Sequence, residues 1–199
     1  MTQEVKDVFD ELVAQVKYLR LRWKMYNQLY GTSEERVDLL NRAAPLFFEV
    51  VEQELRYSVI LTLSQLTDDV GKGKNQCLSI KRLRNMMDES PRDSIGIDDK
   101  INVVDGLIKP LRDHRNRRIA HNDWGKRERE LPDLCRADIT NAIAKVQQLL
   151  EEVHGLYFGS GHASMLFKWR GGYGDGDLLI KNLERSNCEA PTMKELYGP

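Results

Sequence analysis

The chain has 199 residues, of which 41% are hydrophobic and 31% charged, with a formal net charge of −1. This mix supports one folded domain with a real core and argues against wholesale disorder. The charge balance excludes a molecule-wide polycation, so any nucleic-acid contact must come from a local patch.

Nearly every segment reads as helix. Val5, Val8, Leu12, Val16, Leu19, Trp23, Tyr26 and Tyr30 recur every three or four residues, an apolar stripe on a helix of about seven turns. Gly31 ends it, Ser33 is the next N-cap, and Arg36 stands where a capping box wants an acid. A second helix carries Val37, Leu40, Phe47, Val51, Leu55 and Ser58 and runs to Leu66, with Pro45 as a kink or a break. TDDVGKGKNQ (67–76) has the composition of a loop. LSIKRLRNMMDES is predicted to be a short third helix closed by Pro91, and RDSIGI a second loop. Asp98 or Asp99 can cap a fourth helix that reaches His121 with Pro110 inside it. A fifth runs from Leu134 to Phe158 with Ile139, Ile143, Val146, Leu150 and Val153 on its inner face. The predicted fold is therefore all-α, an antiparallel bundle of about five helices over 1–158. Residues 159–199 form a glycine-rich extension, wrapped on the bundle or engaged in assembly, in which LLIKNLERS is one more short helix.

Cys77, Cys135 and Cys188 are far apart, odd in number and in no C-x-x-C pair. That argues against a disulfide framework, a zinc site or a cysteine nucleophile, and it fits a reducing cytoplasm. The first residues carry acids and no signal-peptide core, and no apolar run approaches the length of a membrane span. RGGYGDGD (170–177) lacks the G-K-[ST] of a phosphate loop and the ligand pattern of a calcium loop; it reads as a flexible glycine turn. His154 and His162 show no ligand spacing. No metal or cofactor is expected. Trp23, Tyr26 and Tyr30 read as core or dimer contacts rather than platforms for bases.

HRNRRIAHND (114–123) concentrates the chemistry. The fourth helix has Ile101, Val104, Ile108 and Leu111 on its apolar stripe, and the next position in that register is Arg115. A guanidinium keeps its charge, so at that place it needs an anion or several acceptors. Cations at a helix C-terminus also serve the macrodipole alone, but that role does not require the core register. Asn116 adds a donor and an acceptor. From Lys109 to Arg129 there are eight Lys/Arg against three acids.

R-N-R-R-I-A-H (Arg115 to His121) resembles the signature of HEPN domains, an arginine, a polar residue and then a histidine after a short spacer; here it reads R-N-x4-H. The surrounding LRDHRNRRIAHND is similar to the abortive-infection AbiU-type branch, as are W-x-x-Y-x-Q-L-Y-G (Trp23 to Gly31) and LSQLTDD (Leu63 to Asp69). The similarity covers residues 15–158. It implies a metal-independent endoribonuclease without cofactor, an abortive-infection or toxin-type effector that cleaves cellular RNA. It further implies a homodimer with two motifs facing across a cleft, and a protein antitoxin as a candidate partner. In that scheme His121 is general base or acid. Arg115 clamps the phosphate and stabilises growing charge. Asn116 positions the histidine or a phosphate oxygen. Arg117, Arg118, Lys126 and Arg127 track the RNA backbone, Trp124 is placed to stack on a base, and His114 is a candidate assisting group. Some HEPN toxins carry a tyrosine two residues after the histidine that a partner enzyme modifies. Asp123 stands there in this chain, so that regulation does not carry over. The alternative is a non-catalytic HEPN module that binds RNA, a nucleotide or a protein partner, with Arg115 as a structural ion at a dimer interface.

Overall fold

The structure, a computed structural model, describes residues 2–71, 76–116, 134–159, 166–167 and 175–186. Their regular structure is entirely helical, in eight segments: α1 (Gln3–Tyr30), α2 (Glu34–Ala43), α3 (Pro45–Leu66), α4 (Ile80–Met86), α5 (Glu89–Ile95), α6 (Ile97–His114), α7 (Arg136–Phe158) and α8 (Gly176–Arg185). Among the described residues no helix is long and apolar enough to cross a membrane.

More segments form than the periodicity predicts because prolines and caps divide them. Proline disfavours helical backbone in the residue before it. Ala44 accordingly leaves the helix at φ −165° and ψ 83°, and Pro45 becomes the first residue of α3, where its missing N–H has no helical partner to lose. Of the kink or break expected at Pro45, the structure has the break, and the segment through Leu66 is two helices. The expected third helix also divides, at extended Met87 and the N-cap Asp88. Pro91 does not close it; it sits in the first turn of α5, where N–H groups are unpaired anyway. Much of the RDSIGI stretch, expected as a loop, is the end of α5. Gly96 then turns left-handed (φ 57°) and donates to the carbonyls of Arg92 and Asp93, a conformation that favours glycine. Neither Asp98 nor Asp99 caps α6: the N-cap is Gly96, and the two acids lie two and three positions beyond it, in the first turn.

The chain forms two compact units, Met1–Arg20 with Val59–Lys168, and Leu21–Ser58 with Trp169–Pro199. In the first, α6 packs on α7, and α4 and α5 pack on α6. The expected stripe of α6, Ile101, Val104, Ile108 and Leu111, is buried, as are Ile139, Ile143, Val146, Leu150 and Val153 of α7. Each such side chain contributes about 1.5–3 kcal/mol by leaving water.

The second unit has its own cluster, in which Leu29, Leu39, Leu40 and Phe48 enclose Ile180 of α8, and α2 packs on α8. Asp175 caps α8 by accepting from the Leu178 N–H (3.3 Å) and also accepts from Lys24 (2.9 Å) and Gln28 (3.2 Å). Asp177 accepts from Gln28 and Arg36, both at 2.7 Å. Trp23 and Tyr26 are buried and stack with ring centroids 5.1 Å apart, which leaves no open face for a base.

Candidate functional site

The site grows from the junction between the end of α3 and the end of α6. α3 closes with tight bonds, the Thr67 N–H to the Ser64 carbonyl (3.3 Å) and the Asp68 N–H to the Gln65 carbonyl (3.2 Å). Such i→i+3 closure is common at helix termini, and it delivers Thr67, Asp68 and Asp69 as a compact polar turn. Thr67 is buried and its hydroxyl donates back to the Ser64 carbonyl (3.2 Å).

α6 meets this turn with two arginines three residues apart on one face. Arg112 Nη2 donates to Thr67 Oγ1 (2.7 Å) and to Asp105 Oδ1 (2.8 Å). Asp105 is two turns earlier on the same helix and also takes Lys81 of α4 at 2.8 Å. Lys81 reaches Asp69 at 3.0 Å. Burial resists ionisation of Asp105, but hydrogen bonds from Lys81 and Arg112 outweigh it and hold its carboxyl below the usual range. Burial likewise resists the charge on Lys81, and the hydrogen bonds to Asp105 and Asp69 overcome it, so the ammonium titrates above its ordinary value. Both partners are thus held in the charged state.

Arg115 lies at the end of this network. Its Nη1 donates to both carboxylate oxygens of Asp68, at 2.8 and 2.6 Å. Its Nε donates to Oδ1 of Asn116 at 3.0 Å. The side chain is 16% exposed and that of Asp68 27%, so the guanidinium is sheltered but reachable. Core register predicts that Arg115 needs an anion or several acceptors, and Asp68 supplies the anion. Backbone at Arg115 and Asn116 widens to a π-type turn after the regular helix ends at His114. Such widenings recur at functional positions. Asn116 is exposed and His114 half-buried.

Other expected site residues, His121, Arg117, Arg118, Trp124, Lys126 and Arg127, lie outside the described residues, as do Cys188 and most of the RGGYGDGD segment. Cys77 and Cys135 are exposed free thiols, and Cys135 serves as the N-cap of α7, its sulfur accepting from the Ala137 N–H.

Sequence reasoning passed over Asp68, Thr67, Arg112, Asp105 and Lys81 as site residues. A signal existed for some of them. Asp105 and Arg112 are seven apart, hence on one helix face, and paired acids directly follow the buried end of α3. Nothing local pairs Asp68 with Arg115, which is 47 residues away.

No curated protein and no solved structure matches the chain significantly. A family model described as AbiU2, of the HEPN type, matches residues 2–168. That span includes α1 to α7, the turn after α3 and the whole R-N-x4-H stretch, so the chain belongs to the AbiU2 family of HEPN domains.

Proposed function

We propose that this chain is a HEPN endoribonuclease that cuts RNA without a metal ion and acts in abortive infection as a toxin-type effector. The observation that carries this reading is the state of Arg115. A permanent cation with 16% of its side chain exposed sits at the end of α6, six residues before a histidine. A guanidinium in that setting is suited to a phosphodiester.

RNA supplies its own nucleophile. The 2′-oxygen forms a bond to the adjacent phosphorus, the bond from phosphorus to the 5′-oxygen breaks, and a cyclic phosphate and a 5′-hydroxyl result. His121 takes the proton of the 2′-hydroxyl, and a second imidazole returns one to the leaving oxygen. In a homodimer with motifs facing across a cleft, that second imidazole is the partner subunit's His121. Arg115 stabilises the extra negative charge on the pentavalent phosphate. Asn116 positions the histidine or a phosphate oxygen, Arg117, Arg118, Lys126 and Arg127 follow the backbone, and Trp124 stacks on a base. His114 assists proton transfer. A protein antitoxin is the natural restraint on such an activity.

The pairing of Arg115 with Asp68 favours a second reading, a non-catalytic module in which that pair is purely structural. One experiment separates the two. Purified chain is incubated with total RNA in excess chelator, beside His121→Ala and Arg115→Gln, with melting temperatures recorded for all three. The nuclease reading expects cleavage by the unmodified chain and a loss of about a hundredfold or more in each variant, with the His121→Ala fold unchanged. Retained cleavage in both variants would sink it. A melting temperature lowered only by Arg115→Gln, with no cleavage by any of the three, establishes the module.

A further inference from the structure

Arg115 offers a phosphate two ways to be gripped at two points, and the structure restricts both. A guanidinium presents one pair of parallel N–H groups at its end, Nη1 with Nη2, and another along its side, Nε with Nη2. Asp68 occupies Nη1 with both of its oxygens. Asn116 occupies Nε with a single amide oxygen. A two-point grip must therefore displace a carboxylate from the end or an amide oxygen from the side. The carboxylate is charged, doubly engaged and half-buried, and it belongs to a turn whose neighbours are tied down: Thr67 by Arg112 and Asp69 by Lys81. The amide belongs to the exposed side chain next in sequence. Both partners accept from a charged guanidinium, but only Asp68 brings an opposite full charge and two acceptor oxygens, so the amide yields first.

We propose that Asp68 is the positioning residue of the anion site: it holds Arg115 by Nη1 and leaves the side edge, Nε with Nη2, for a phosphodiester of RNA. This rests on the nuclease reading for the identity of the ligand, though the anion site itself does not require cleavage. Asp68 has two opposed effects. Its negative charge lies within hydrogen-bonding distance of the guanidinium and weakens ground-state binding of a phosphate. Its grip fixes the guanidinium where charge develops in the transition state, which preorganisation requires. A merely structural Asp68 has neither effect on ligand.

The test measures binding and turnover separately on the full chain. Binding uses a single-stranded 2′-deoxy oligonucleotide, which lacks the attacking hydroxyl, followed by fluorescence anisotropy. Asp68→Asn keeps the shape and removes the charge, and should tighten binding roughly tenfold, the equivalent of about 1.4 kcal/mol. That gain should vanish in the Asp68→Asn/Arg115→Gln double variant. On RNA, Asp68→Asn should lower kcat at least about tenfold while KM falls, and Asp68→Glu should restore wild-type affinity and part of kcat. Unchanged affinity in Asp68→Asn, a gain that persists without Arg115, or a Glu variant that behaves as the Asn variant overturns the inference. Where wild type cuts no RNA yet the binding pattern holds, the nuclease reading falls and the anion site with Asp68 behind it stands. Where wild type cuts RNA and Asp68→Asn binds as wild type, the positioning role falls alone. Should Asp68→Asn not fold, Asp68→Glu decides: its longer arm shifts the guanidinium, so kcat drops with affinity unchanged if Asp68 positions Arg115, and an unchanged kcat refutes it.

Discussion

Arg115 and Thr67 illustrate opposite ways for a single polar residue to be accommodated beside a core. Arg115 continues the stripe of Ile101, Val104, Ile108 and Leu111, all buried, and it retains its charge because Asp68 meets it. The residue types alone made that need legible; the partner was not, since pairing over 47 positions follows from packing rather than from helical period. Thr67 is buried outright and satisfies its hydroxyl within α3 while accepting from Arg112. Thr67→Val keeps the volume and removes both interactions, leaving Arg112 with one acceptor fewer. The expected cost is about 1–3 kcal/mol, read by denaturant unfolding, with Arg115 and Asp68 still paired. A variant as stable as wild type would show that water replaces the hydroxyl.

At the scale of elements, breaks were harder to read than helices. The apolar stripes of α1, α6 and α7 stand where periodicity puts them, because burying one face of a long helix dominates its placement. Periodicity does not separate the short α4 and α5, since with seven residues each they contain too few turns for period to speak. The C-terminal helix shows what a cap can do. Asp175 joins the α8 N-terminus to Lys24 and Gln28, and these hydrogen bonds, that of Lys24 foremost, lower its pKa from 3.8 to about 2. A carboxylate whose folded pKa is depressed stabilises the fold above its unfolded value and loses that contribution as pH falls through the folded one. Amide exchange in α8 should therefore be faster in Asp175→Asn than in wild type above pH 3.8, by a margin that closes as pH approaches 2. A margin independent of pH would mean that the geometry of the carboxyl group, not its charge, secures the cap.

For the molecule as a whole, near-neutral net charge makes any affinity for RNA a matter of one patch. Within the described part of that patch, Arg112 and Arg115 already face Asp105 and Asp68, so neither adds much net attraction at distance. The salt dependence of binding should reflect this. Plotted as log affinity against log salt, Asp68→Asn should be steeper than wild type by about 0.7, the increment for one more neutralised phosphate on a single strand. Equal slopes would indicate that Arg115 carries its full charge to the ligand despite Asp68.

By itself the sequence determined the helical class, the apolar faces of the long helices, the R-N-x4-H stretch with its family, and the requirement that Arg115 find an anion or several acceptors. These are local properties, set by a repeat of three to four residues and by the cost of burying a charge. Only the tertiary structure decided that the anion is Asp68, that Arg112, Asp105 and Lys81 extend the network, and that α8 returns to Gln28 across 148 residues. Such partners are selected by which side chains share a buried space once the helices pack, and no period along the chain encodes that choice.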